Sequence, residues 1–222
     1  MNRLLASMIF SVGFGACVQA GAATVSQSFA EYTVTYDDAT VLGSIDFFSS
    51  GSRFGFGWNL PASISVSGTS ALVELPSFTV SANPGYTLTG SIGGYLDKLY
   101  FGELHTASTF AGIGGTLSLD GNTVVSFASP LTRTTLLSLP GLTAGYYSYA
   151  GSTDPGASFA SFGVSDFALL IAATDYAAVS GLGQATLKVE FSAVPVPEPD
   201  QYALLLAGLC MMSLVARRRL SR

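Results

Sequence analysis

The sequence predicts a mainly β protein, an antiparallel β-sandwich of jelly-roll type, carried between two hydrophobic end segments. Short runs of β-branched and aromatic residues recur with period-two alternation. Gly, Pro, Asn and Ser interrupt them roughly every 8–12 residues. No stretch of the body sustains a 3.6-residue period with caps at both ends. Many short strands and no capped helix leave two packed sheets as the economical architecture.

Taken in order, residues 1–23 read as a secretory signal. Arg3 precedes the apolar stretch Leu4–Val18, and Ala20-Gly21-Ala22-Ala23 supplies the small residues of a cleavage site, so cleavage is expected after Ala20 or Ala22. Residues 24–192 form the body. There Tyr32, Val34 and Tyr36 alternate with Thr33 and Thr35, as in a strand buried on one face. Ala62–Val66, Leu72–Leu75 and Phe78–Val80 are further short runs, with Pro61 and Pro76 as breaks or edge positions. Tyr86, Leu88 and Ile92 alternate with Thr87, Thr89 and Ser91, and Gly90 falls among them as a bulge or bend.

The clearest hairpin joins Leu117–Leu119 to Thr123–Phe127, because Asp120-Gly121 supplies the positive φ that a tight hairpin turn demands. Ala168–Ala173 is apolar on both faces and suits a central strand or a short helix. Gln184–Ser192 closes the body as a strand, with Ala185, Leu187, Val189 and Phe191 on one face. Residues 49–57, 140–160 and 177–183 read as loops.

Composition limits what such a body does. Of 222 residues, 49% are hydrophobic and 10% charged, with 25 Gly; soluble domains average about a quarter charged. The mean hydropathy is +0.48, and the two end segments account for part of it. The body holds four basic residues, Arg53, Lys98, Arg133 and Lys188, against twelve acidic ones. That balance repels nucleic acid and anionic lipid. Cys17 lies in the leader and Cys210 in the tail, so the body can form neither a disulfide nor a thiolate metal site.

Catalytic signals are sparse, and the sequence reads as that of a protein that is not an enzyme and needs no cofactor. His105, the one histidine, shares a strand face with Glu103, and the two are candidates to pair. No Gly-x-Ser-x-Gly elbow accompanies them, so a surface or partly buried histidine is the preferred reading. Without body cysteines, one histidine excludes the usual zinc ligand sets. Asp37-Asp38 and Asp120-Gly121-Asn122 are fragments of a calcium loop at most, so no metal site is expected. A carboxylate pair such as Asp166 and Asp175 keeps a carbohydrate-active enzyme as the alternative. Trp58 in Phe54-Gly55-Phe56-Gly57-Trp58 and Tyr147 in Tyr146-Tyr147-Ser148-Tyr149 are the aromatics that would face a ligand. Filling the core is the preferred role for both.

The segment 193–222 carries the most specific pattern. Pro195-Val196-Pro197-Glu198-Pro199 precedes the apolar run Tyr202–Ala216, and Arg217-Arg218-Arg219 stands at the head of the basic tail 217–222. The run is 15 residues long, about 22 Å as a helix against a hydrocarbon core of about 30 Å. The expectation is a short transmembrane helix with its arginines on the cytoplasmic side. The three prolines are expected to stay extended, outside helix and central strand. The leader, which would place the body outside, agrees with that orientation.

The ordered triple of Val196-Pro197-Glu198-Pro199, the leucine-rich run Leu204–Leu209 and Arg217-Arg218-Arg219 resembles the PEP-CTERM sorting signal of exosortase-bearing Gram-negative bacteria. The same kind of tail also carries the label ice-binding protein C-terminal domain. The resemblance covers only the tail. It implies recognition of Pro197, Glu198 and Pro199 by an exosortase, with Arg217, Arg218 and Arg219 as the membrane stop. It further implies processing, then delivery from the inner membrane to the cell surface or an exopolysaccharide biofilm matrix. A non-enzymatic matrix protein is thus the leading expectation. The alternatives are a secreted carbohydrate-active enzyme, or an adhesin for carbohydrate or ice, which would show a flat, regular, Thr-rich face.

Overall fold

The computed structural model describes residues 23–37, 42, 45–61, 63–181, 186–196 and 199–220, with the C-terminal side chains described over 203–213. The leader and its cleavage region at Ala20 and Ala22 lie outside these residues, as do Pro197 and Glu198.

The chain is mainly β and its strands pair antiparallel. One sheet has the order β1 (Thr24–Ser28), β2 (Tyr32–Asp37), β7 (Phe78–Ala82), β13 (Ser161–Ala173), β9 (Thr109–Leu119) and β10 (Asn122–Pro130), with β6 (Ser70–Glu74) also on β13. The second runs β11 (Thr132–Leu139), β12 (Leu142–Thr153), β8 (Tyr86–Leu104), β15 (Thr186–Pro195), β4 (Arg53–Asn59) and β3 (Ile45–Ser50). There β14 (Ala177–Ser180) pairs both with β8 and with β5 (Ser65–Ser67). A helix, α1 (Pro199–Leu220), follows β15.

The inner faces of both sheets meet in one apolar cluster. Val34, Phe78, Val80, Phe162, Leu169 and Ile171 come from the first sheet, and Phe56, Leu88, Leu99, Leu187, Val189 and Phe191 from the second. Aromatic rings bridge the two: Phe56 lies edge-on to Phe78 at 5.0 Å, and Tyr32 edge-on to Phe191 at 4.9 Å. Edge-to-face pairs of this kind add to the gain from burying the rings themselves.

Each sheet is built on one long strand that changes neighbours partway along, and a bulge marks each change. β13 pairs with β7 through Val164 and with β6 from Ala168, and the β13–β9 register shifts between those residues. Asp166 takes a φ of 51° there. β8 pairs with β15 up to Leu96 and with β14 from Tyr100, with Lys98 at a φ of 35° between them. A bulge adds local twist and re-aims the strand, which lets one strand serve two partners.

Several expectations are met. Asp120 and Gly121, at φ 49° and 76°, form the two-residue turn between β9 and β10, as a primed hairpin turn requires. Gly90, at φ 72°, sits where the β15–β8 register slips. Ala168–Ala173 is strand, flanked by β6 and β9, and Leu187, Val189 and Phe191 are all buried.

The three expected loops are corrected. Residues 53–59, 142–153 and 177–180 are strands β4, β12 and β14. In β4 the glycines leave room that a side chain would fill: a Cβ on Gly55 would strike the Phe48 ring and the Val189 carbonyl. Glycines that read as loop signals instead mark close approach to neighbouring strands.

Candidate functional site

Among the described residues, Glu103 is the one buried charged side chain. It follows Leu99 and Phe101 on the inward face of β8, so the parity of the strand carries it inside. Its Oε2 accepts from the Arg133 guanidinium at 2.6 Å, and its Oε1 accepts from both the backbone N–H and the hydroxyl of Thr109 at 2.7 Å. The Tyr147 hydroxyl donates to the Thr109 carbonyl at 2.8 Å. Arg133 reaches in from the edge strand β11, its guanidinium 4.2 Å from the centre of the Phe101 ring. An inward-pointing charge also makes an edge strand a poor template for another chain.

Burial works against the Glu103 carboxylate, but the hydrogen bonds from Arg133 and Thr109 outweigh it and hold its pKa below the ordinary value of 4.5. Burial likewise opposes the Arg133 charge, and the carboxylate overcomes that too. Burial raises the Tyr147 pKa. This network of Glu103, Thr109, Arg133 and Tyr147 braces β8, β9, β11 and β12 against one another.

Removing one partner leaves the other without compensation. Because the Arg133 side chain is 36% exposed and Glu103 8%, solvent softens the loss, and Arg133→Met is expected to destabilise by about 2–3 kcal/mol. The double variant Glu103→Gln/Arg133→Met should recover at least about 1 kcal/mol of that in a denaturant cycle. A depressed carboxylate pKa stabilises the fold above the unfolded value and loses its effect as pH falls through the folded one. The wild type should therefore lose stability more steeply below about pH 4.5 than Glu103→Gln does.

The other candidates are dispersed. His105 does not pair with Glu103: β8 ends at Leu104, and His105 enters a turn at φ 55°, exposed, its N–H bonded to the Gly141 carbonyl at 2.9 Å. Asp166 sits at the bulge within β13, and Asp175 lies past the end of that strand. Seven residues of strand between Asp166 and Ala173 put the two carboxylates roughly 20 Å or more apart, too far for the pair a glycosidase needs. Trp58 and Tyr147 lie in the core instead of at the surface. They are 2% and 3% exposed, because both take the inward parity of their strands. Among the described residues no three His, Cys, Asp or Glu side chains come together as a metal site.

The tail has a different geometry. β15 lies between β8 and β4 through Ser192, then pairs with β8 alone to Pro195, opposite Tyr86. The Val196 N–H still bonds to the Gly85 carbonyl at 2.8 Å. Only two residues separate Val196 from α1. The prolines therefore differ from expectation: Pro195 ends a strand, and Pro199 opens the helix, where its missing N–H costs nothing. Leu204, Leu205, Leu206, Leu209, Met211 and Met212 are 51–73% exposed, an apolar surface with no counterpart in the fold. Among the described residues no helix is long and apolar enough to cross a membrane. Gln201 and Arg217 bound the apolar run to its 15 residues.

The body is thus an interlocked pair of sheets, and none of the described side chains of α1 is buried. A family model for the PEP-CTERM protein-sorting motif matches residues 195–219, and the chain carries that signal. The motif marks an exported protein processed by an exosortase and sorted, in association with the membrane, to the cell surface. No curated protein matches the chain.

Proposed function

We propose that this is a non-enzymatic component of the extracellular matrix of a Gram-negative bacterium, delivered by exosortase and associated with exopolysaccharide in biofilm. In this reading residues 1–23 are a cleaved leader, 24–192 a jelly-roll-like sandwich, and 193–222 the sorting segment. The bare apolar face of α1 holds the precursor at the membrane until the tail is cut. The matched motif at 195–219 carries the reading. Further support comes from the net acidity of the body, the internal engagement of Glu103 and the wide separation of Asp166 and Asp175.

Fractionation tests it. In cells with a working exosortase the protein should appear in the washed exopolysaccharide fraction. Deleting the exosortase, or replacing Pro197, Glu198 and Pro199 with alanine, should leave it in the inner membrane. An unchanged distribution would overturn the sorting reading. Processed protein found wholly in the free medium would overturn the matrix association.

A further inference from the structure

The outer face of the first sheet carries aligned hydroxyls. Register places Ser26, Thr35, Thr79, Gly163, Ser118 and Thr123 opposite one another across β1, β2, β7, β13, β9 and β10. Their chain neighbours Val34, Val80, Phe162 and Leu117 point into the core. The row crosses roughly 24 Å at the usual strand spacing. A second row, Ser28, Thr33, Ser81 and Ser161, runs beside it.

An open groove of about 440 Å³ lies over the middle row, with Thr35, Thr79, Ser118, Ser165 and Asp37 along it. Gly163 keeps it open. A Cβ there would come within 2.9 Å of the Phe78 carbonyl and 3.0 Å of the Thr79 hydroxyl. The volume falls in the range of small-molecule sites; no lysine or arginine lines it, and its apolar lining is the half-buried Tyr36 and Val164 with the buried Phe78.

The chemistry of this groove selects a class of occupant. Hydroxyls both donate and accept, which matches a ligand rich in hydroxyls of its own. Without a basic residue, and on an acidic body, the groove disfavours phosphate, sulfate and uronate groups. Its apolar lining is recessed, with Phe78 buried and Tyr36 and Val164 half-buried, so it offers little anchor to a protein partner. Resting on the matrix reading above, we propose that a neutral polysaccharide binds along the Thr35–Thr79–Gly163–Ser118 groove, across the strands. Each sugar contributes weakly, because the lining rings of Tyr36 and Phe78 pack against Trp58, so retention comes from many repeats of one polymer engaging in turn.

Affinity electrophoresis tests this on the full chain in a polyoxyethylene detergent, which presents no competing sugar. The net charge of −5 drives migration. Gels contain hydroxyethylcellulose, galactomannan or dextran as neutral polymers, or alginate as the anionic one. At least one neutral polymer should retard the protein, and alginate should not. Thr35→Ala/Thr79→Ala should weaken retardation roughly tenfold, and the matched change Thr132→Ala/Thr135→Ala on β11 should leave it intact. Thermal unfolding of each variant separates lost binding from lost fold.

Equal retardation of both variants would put the glycan elsewhere, overturning the groove while leaving the matrix reading in place. Retardation by alginate alone would overturn the ligand class. No retardation by any neutral polymer would overturn the groove, and the matrix reading would then stand or fall on fractionation.

Discussion

A chain ending at Val196 is expected to unfold at nearly the same temperature as the full-length protein, whereas a chain ending at Glu190 should not fold. The two differ by six residues. The shorter one loses Phe191 and Ala193, 1% and 4% exposed, and the end of a strand that pairs with both β8 and β4. Stopping at Val196 removes α1, the two residues before it and the two after it, and none of the described helix side chains is buried. Circular dichroism melts of the two truncations would place the boundary between fold and address. A large loss of stability on removing α1 alone would show the helix to be part of the fold.

The second large effect concerns Trp58. It packs edge-on to Phe56 at 5.4 Å and against Phe78 at 6.0 Å, so it touches both sheets. Trp58→Ala is expected to cost about 3–5 kcal/mol by opening a cavity, which for a domain of this size lowers the midpoint by roughly 10–15 °C. Trp58→Phe, which keeps most of the apolar volume, should cost clearly less. If Trp58→Ala left stability unchanged but abolished retention on polysaccharide, the side chain would be acting at a surface instead of in the core.

The fold was readable in the sequence wherever alternation was strict and a turn had its own chemistry. Leu187, Val189 and Phe191 alternate cleanly, and Asp120-Gly121 can scarcely do anything but turn. Legibility failed where glycine stood inside a strand. Phe54-Gly55-Phe56-Gly57-Trp58 alternates as strictly as any strand, but its small positions read as loop because only packing shows Phe48 and Val189 pressed against Gly55. The same happened at Gly145, where a Cβ would meet the Thr134 carbonyl.

The network around Glu103 was partly visible. The parity of Leu99 and Phe101 already points Glu103 inward, yet its partner Arg133 is 30 residues away on another strand, and nothing local names it. Pairing Glu103 with His105 assumed that the strand continued, and it stops at Leu104. The hydroxyl rows are a property of register: Thr35, Thr79 and Ser118 lie too far apart in the chain for any spacing rule to align them. The sorting motif, by contrast, was legible because a linear motif depends on sequence order, whereas the strand that reaches Pro195 and the helix that opens at Pro199 were not.

We propose that the tail Pro195–Arg222 is a sorting address from which processing removes Arg217–Arg222. Intact mass of the protein recovered from cells with a working exosortase tests it most directly. The mature chain should lack Arg217–Arg222, and the chain should keep a full-length C-terminus when the exosortase is deleted. A mature protein that still carries Arg217–Arg222 in exosortase-competent cells would contradict it.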